Sequence, residues 1–529
     1  MRRRRRWLRV LATAGFALAA SGMSCAPTAT PLAVVVDPAE AGSPLPRALL
    51  GHYDLSGSLF GYDQVPGLIA GMADAGFQGA DWRVGLGRWE AATRLLPTLP
   101  DGTPCPIPTP AAAAPAGADD LQLIATRDWF TDDGAPVTLA DTADDARYAL
   151  GYARSAIDVA SAFGATPFLS VDAMPRALAI NRAPLRDDCL WTFRNRVSNA
   201  RPANAAVFAA ALSGAVERLV AGSGGEPGRP ITHVEVWNEP ELPFFWDPAF
   251  EDLAGPLDRF FEMAITSLVA LDDLRAASAD PALANLRIGL AGFAGAGVPE
   301  TVLASFDAAV LPGGRRIPLD FISFHGYHDD PLQIVARIES VAAAAAASSR
   351  YANVELVLSE WGPDLQTSGG DAAYAASMAP ALHVATVLAL GAAAGLDRAH
   401  HAILWDFYPG IIQLGTLDGA VAPKPAHRAF ELLSRVITGD SVRLAPIGAA
   451  DGRISADVSV LASRDGSGTV RMLFVNRGAS SRLVDAHLGD GVGPTGLVAF
   501  RDPAAGLQTI PAAGPRISLP PRSLVLATF

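Results

Sequence analysis

The chain has 529 residues, more than one domain usually holds, and half of them are hydrophobic, so there is material for a large core. Charged residues make up 18%, the formal net charge is −13, and a single lysine, Lys424, stands beside forty arginines. That balance excludes the basic footprint of a nucleic-acid-binding protein and argues against a polyanionic substrate held in a broad basic groove.

Residues 1–24 read as an export signal rather than as part of the fold: Arg2 to Arg6 form a charged start, and Trp7 to Met23 form a short apolar run interrupted by Arg9. The run is too short and too poorly flanked for a membrane-spanning helix. RRRWLR is similar to a twin-arginine signal and equally to an ordinary basic leader. Cys25 follows small residues, as in a lipoprotein box, although Gly22 stands where that box has leucine; a lipid anchor at Cys25 is one expectation and plain secretion the other. Removing residues 1–24 takes away six arginines and no acids, moving the net charge from −13 to −19. Cys105 and Cys189, both in loop-like segments, are free to pair or to stay as thiols in an oxidising compartment.

After a short segment, 25–45, eight strand-like runs follow in order: ALLGHY (48–53), GADWRVGLG (79–87), TPFLSVD (166–172), ITHVEVWNEP (231–240), LRIGLAGFAG (286–295), DFISFHGYH (320–328), VELVLSEWG (354–362) and HHAILWDF (400–407). Helix-compatible stretches lie between them at 147–163, 205–221, 257–275, 333–349 and 372–396. Strands alternating with helical crossovers imply parallel pairing, and eight such units over 46–435 imply a (β/α)8 TIM barrel, an α/β fold. The alternative, a doubly wound open sheet, has as its usual marker a Gly-rich turn after the first strand, and this chain has none. Segments 95–145 and 173–204 are too long for plain connections and are expected to shape access to a site. Beyond 435 the pattern changes to short alternating runs, ISADVSVLA, TVRMLFVN, GLVAF, RISLP and SLVLATF, which read as a C-terminal antiparallel β-sandwich domain over 436–529. PLAVVVD (31–37) is expected to donate a strand to it.

Polar residues gather at the C-terminal ends of these strands: Arg83, Asp172, Asn238, Glu239, His325, Tyr327, His328, Glu360 and Trp405. Barrel enzymes collect their catalytic groups on that face. Two strings stand out, VEVWNEPE (234–241) and VLSEWGPD (357–364), each an apolar run ending in a glutamate beside aromatic and polar residues. A pair of carboxylates on separate strand ends suits glycosidic bond cleavage, where one protonates the leaving oxygen and the other attacks or stabilises the anomeric carbon.

ITHVEVWNEPELPFFW, SFHGYH, VLSEWG and the closing LPPRSLVL resemble glycoside hydrolase family 39 of clan A, over roughly residues 46–529. The family includes β-xylosidases, α-L-iduronidases and some bacterial exopolysaccharide hydrolases. In that clan the acid/base follows an Asn at the end of the fourth strand and the nucleophile ends the seventh. The resemblance therefore implies that Glu239 is the general acid/base, Glu360 the nucleophile and Asn238 the partner of a sugar 2-hydroxyl. Burial and the charge of Glu360 are expected to raise the Glu239 pKa, and Tyr327 or Arg83 to keep Glu360 ionised. His325 and Tyr327 are expected to touch sugar hydroxyls and position Glu360, Trp405 to form a stacking floor, and Phe244, Phe245 and Trp246 either to wall the same subsite or to pack in the loop core. Glu235, four residues before Glu239, is expected to be a barrel-interior group. The His325-x-x-His328 spacing with Asp329 and Asp330 could hold a metal, but no further Cys or His stands near it; no metal and no cofactor is expected.

These features describe an exported retaining glycoside hydrolase acting on an oligo- or polysaccharide, β-xylosidase-like. Endo action on a bacterial exopolysaccharide is the alternative within the class, a uronic-acid substrate ranks behind it because no basic cluster accompanies the strand ends, and a non-catalytic glycan-binding surface lipoprotein is the alternative outside it.

Overall fold

The computed structural model describes residues 30–53, 78–86, 88–92, 122–127, 129–131, 133–171, 174–180, 200–223, 225–243, 245–246, 257–365, 367–403, 416–418 and 422–529. The export segment, Cys25, Cys105, Cys189, Asp172, Phe244 and Trp405 lie outside the described residues.

Eight parallel strands close into a barrel: β1 (Gly51–Tyr53), β2 (Asp81–Gly85), β3 (Thr166–Val171), β4 (His233–Val236), β5 (Arg287–Phe293), β6 (Phe321–Tyr327), β7 (Glu355–Gly362) and β8 (Arg398–His401), with β8 pairing back to β1. All eight expected runs contribute, but the barrel uses a shorter piece of several. Residues 47–50 form a 3-10 turn before β1, and β4 stops at Val236 instead of continuing to Pro240. The crossover helices include α1 (Gly151–Ala162), α2 (Ala205–Val220), α3 (Asp258–Ala277), α4 (Val298–Ala308), α5 (Pro331–Ala347), α6 (Ala379–Ala393) and α7 (Pro425–Val436). Their starts are written locally. Asn204 caps α2 by accepting from the amides of Ala206 and Val207, and Asp330 caps α5 ahead of Pro331 at its first position. The stretch 372–396 holds a short helix, Ala372–Ala375, and then α6, with Pro380 opening the second.

The barrel interior is layered. At the N-terminal mouth Arg398 reaches Asp81 at 2.7 Å and Glu355 at 3.2 Å, while His233 Nε2 meets Glu355 at 2.9 Å, so strand starts are tied by charge. Above them Phe168, Phe321 and Val357 fill the middle. The polar residues of the upper layer face the C-terminal mouth.

The C-terminal domain is a sandwich of a seven-stranded and a three-stranded sheet. Leu32–Val36 does enter it, as an edge strand, but parallel to Arg482–Leu488, whose other neighbour, Arg516–Leu519, is antiparallel. The outer face of the larger sheet packs on the barrel, with Leu461, Leu473, Val475, Leu524 and Leu526 joining the same apolar core as α6 and α7.

Candidate active site

The turn after β4 is where the local backbone departs furthest from ordinary strand geometry. Trp237 and Glu239 both have positive φ, 78° and 43°, a conformation that costs a residue with a side chain about 1–3 kcal/mol. Packing holds it. Trp237 is fully buried, donates from Nε1 to the Phe245 carbonyl at 3.0 Å, and meets Trp246 edge-on at 5.5 Å. The Glu239 amide donates to the Ala291 carbonyl of β5 at 2.9 Å. The twist turns both Asn238 and Glu239 toward the barrel axis.

Bulges set the opposing side chains. On β7 the register slips between Leu358 and Glu360, so that Ser359 is an extra residue and Glu360 pairs with His325. On β5 two residues, Ala291 and Gly292, oppose Ser323 alone. Gly292 is required there: its φ is +54°, and a Cβ would stand 2.5 Å from His325 Nε2 and 2.9 Å from Asn238 Oδ1.

Arg83, on β2 and 1% exposed, is the hub. Its Nη1 donates to Glu360 Oε1 at 2.7 Å, its Nη2 to Asn238 Oδ1 at 2.6 Å, and its Nε and Nη2 to Glu235 Oε2 at 2.8 and 2.5 Å. The guanidinium lies over the Tyr53 ring, 4.7 Å from its centre. Burial works against this charge, but Glu235 and Glu360 outweigh it and hold Arg83 ionised. Tyr327 donates to the other Glu360 oxygen at 3.0 Å.

The two carboxylates sit in different surroundings. Burial pushes Glu239 up to about 7, Glu235 adds to the rise, and Arg83 and Arg337 only partly offset it. Burial raises Glu360 as well, against the opposing pull of His325, Arg83 and the Tyr327 hydroxyl. Glu360 thus has a guanidinium and a phenol bonded to its two oxygens, and Glu239 has a histidine. His325 Nδ1 lies 2.6 Å from Glu239 Oε1 and 3.7 Å from Glu360 Oε2. Burial lowers His325 to about 4, so near neutral pH the ring is uncharged and one proton lies in the hydrogen bond between His325 Nδ1 and Glu239 Oε1.

Two of the sequence-based placements need correction. His325 bonds Glu239, not Glu360, because the β7 bulge turns Glu360 toward Arg83 and Tyr327. Trp246 is 1% exposed and wedged between Trp237 and Phe260, so it supports the turn from below and has no face for a sugar. His328 is exposed and its Nδ1 accepts from the Asp330 amide at 2.9 Å, which separates it from His325. Arg83, Asn238, Tyr327, Glu239 and Glu360 come together at one mouth. Glu241 turns aside to accept from the Gly295 amide at 2.5 Å.

Among the described residues one group has metal-ligand spacing: Glu239, His325 and Glu360 offer atoms within 4.8 Å of one another. A cation there would stand beside the Arg83 guanidinium, already bonded to Glu360 at 2.7 Å, and the repulsion makes this donor set a poor cation site. It suits proton transfer: one carboxyl near its neutral form faces a second that is held by fixed donors.

No known family model matches the sequence, and no curated protein does. The fold is shared with solved structures at low identity. A glucosidase from Croceicoccus marinus aligns with a TM-score of 0.60 at 16% identity, covering 94% of this chain and 98% of that one. A monomeric beta-xylosidase from Caulobacter crescentus CB15 gives 0.59 at 17%, with 94% and 99% covered. The GH39 enzyme from Xanthomonas axonopodis pv. citri gives 0.58 at 17%, with 94% and 97% covered.

Proposed function

We propose that this chain is a retaining glycoside hydrolase similar to family 39, with Glu239 as acid/base and Glu360 as nucleophile. The observation that carries the reading is the facing pair itself: oxygens of the two carboxyls within 4.8 Å, one carboxyl raised to about 7 and the other bonded to Arg83 and Tyr327. Retaining enzymes hold their carboxyls about 5–5.5 Å apart, whereas inverting ones need about 6.5–9.5 Å for a water between them. The short spacing supports double displacement.

In the first step a Glu360 oxygen forms a bond to the anomeric carbon as the glycosidic C–O bond breaks, and the Glu239 proton goes to the leaving oxygen. In the second, Glu239 takes a proton from water, the water oxygen bonds the anomeric carbon, and the ester to Glu360 breaks. Asn238, held through Oδ1 by Arg83, turns its amide nitrogen away from that arginine and toward the place of a sugar 2-hydroxyl. Exo action on β-xylosides is the reading within the class, supported by the likeness to a beta-xylosidase fold; the loops that would shape a pocket or a groove lie largely outside the described residues. The N-terminal leader supports export, by lipid anchor or secretion.

A hydrolysis screen on a panel of aryl glycosides and bacterial polysaccharides, with the first-formed anomer read by proton NMR, tests this. Release of an aryl β-xyloside product with retained configuration is expected; an inverted first product, or binding of glycan with no hydrolysis of any member, rejects the reading.

A further inference from the structure

Glu235 is the residue the mechanism above does not use. It is fully buried one layer beneath the site, on the inward-facing side of β4, and it takes two of the five Arg83 hydrogens through Oε2. Nη2 carries only two hydrogens and has three acceptors within reach. Glu235 and Asn238 make the shorter contacts, while Ser170 stands 3.0 Å off and turns its own hydroxyl hydrogen to Glu235 Oε2 at 2.8 Å. Bonds along two edges fix both the rotation and the depth of a planar guanidinium. Only in that orientation do Nη1 and Nη2 reach Glu360 and Asn238 at once.

We propose that Glu235 is a positioning residue of the catalytic pair, locking the Arg83 fork onto Glu360 and Asn238 while cancelling the arginine charge beneath Glu239. The proposal rests on the reading of Glu239 and Glu360 as that pair. Its electrostatic half follows from the charges facing Glu239. Arg83 on β2 and Arg337 on α5 are cationic, Glu235 on β4 is anionic, Glu360 on β7 is the carboxylate its role as nucleophile requires, Glu241 follows on the same turn, and His325 and Tyr327 on β6 are neutral near pH 7. Arg83 and Arg337 with Glu360 alone sum to +1. Glu235 cancels that excess, which favours the protonated form of Glu239 and an anomeric carbon that gains positive charge in the transition state. A purely structural ion pair would brace the barrel and leave the Glu239 titration where it is.

The test compares four proteins: wild type, Glu239→Gln, Glu235→Gln and the double variant. The melting-temperature difference between wild type and Glu239→Gln, followed against pH, titrates Glu239 without any substrate. The difference between Glu235→Gln and the double variant titrates the same carboxyl with the lower charge removed. The midpoint is expected near 7 with Glu235 present and about one unit lower in the Glu235→Gln background. An unmoved midpoint overturns the proposal. If the Glu235→Gln protein does not fold, Glu235→Asp keeps the charge and shortens the reach by one methylene. It should keep the Glu239 midpoint and lower kcat on an aryl glycoside about 10–100-fold with KM nearly constant. An unchanged kcat, or failure of both variants to fold, marks a structural pair and overturns the proposal. A lowered midpoint in a protein that hydrolyses no glycoside would uphold the coupling and reject the glycosidase reading.

Discussion

His325 Nδ1 lies 2.6 Å from Glu239 Oε1, and both groups are displaced in the directions that make each a neutral partner, the histidine to about 4 and the carboxyl to about 7. A neutral ring with its proton on Nε2 accepts from the carboxylic acid; with the proton on Nδ1 it donates to the carboxylate. The pair can therefore pass through both forms that an acid/base must adopt without a buried charge appearing on the imidazole.

The alkaline limb of the rate profile should follow from this. Once Glu239 ionises it has no proton for the leaving oxygen, so kcat/KM on a poor leaving group should fall about tenfold per pH unit above about 7. An aryl glycoside with a good leaving group should show a much weaker alkaline limb in its glycosylation step. Equal limbs for both substrates would contradict the assignment.

The same displacement has a cost in stability. A carboxyl whose folded pKa is raised contributes stability below its unfolded value, about 4.5, and loses it as pH rises through about 7. Above that pH the folded state carries a penalty of about 3 kcal/mol. Glu239→Gln, which cannot ionise, should therefore melt higher than wild type at pH 8 and about equally at pH 4. Thermal unfolding at the two pH values reads it directly.

Tyr327→Phe removes the donor on Glu360 Oε2 and leaves Arg83 on Oε1. Losing a charge-assisted hydrogen bond of about 1.5–3 kcal/mol should lower kcat about 10–100-fold. The hydroxyl favours the ionised carboxylate, so its loss should move the acid limb to higher pH. A lower kcat with an unmoved acid limb would place Tyr327 against the sugar instead.

The residues that draw the site together explain what can be read in advance. WNEP follows β4 directly and SEWG closes β7, and strand count is enough to bring Glu239 and Glu360 to one mouth. The bulges are not legible: whether Ser359 or Ala291 is an extra residue depends on pairing with β6, and that pairing decides that His325 bonds Glu239. Trp246 looks equally like a subsite wall or a core residue, because an aromatic after a turn has the same composition in either role. Alternation also turns Glu235 inward, but its partner Arg83 is 152 residues away and meets it only when β2, β3 and β4 are side by side. Helices α4 and α7 are absent from the sequence reading; they are 11 and 12 residues long, with a proline at the second position of α4 and the first of α7.

The sandwich depends on a strand from the far end of the chain. Val34 and Val36 are buried against Val484, Ala486 and Ile517. Val34→Asp would bury a carboxylate in that apolar cluster, and should cost about 3 kcal/mol or more. Because the seven-stranded sheet on the other side of that cluster packs on α6 and α7, the melting temperature of the whole protein should fall. A separate low-temperature transition with full activity above it would show that the two units unfold independently.

The roles of the two carboxylates are separable by chemical rescue. Glu360→Gln removes the nucleophile, so every glycoside should fail, activated or not. Glu239→Ala removes the proton donor, so natural leaving groups should slow by about 10²–10⁴-fold while good aryl leaving groups still depart. The glycosyl-enzyme then accumulates, because the base that activates water is gone as well. Azide is an anion that needs no base, and the space freed beside His325 admits it. It should attack the anomeric carbon from the face Glu239 occupied, restore turnover and give a glycosyl azide of retained configuration. Rescue of a Glu360→Ala protein instead, with inverted product and no effect of azide on Glu239→Ala, would reverse the assignment.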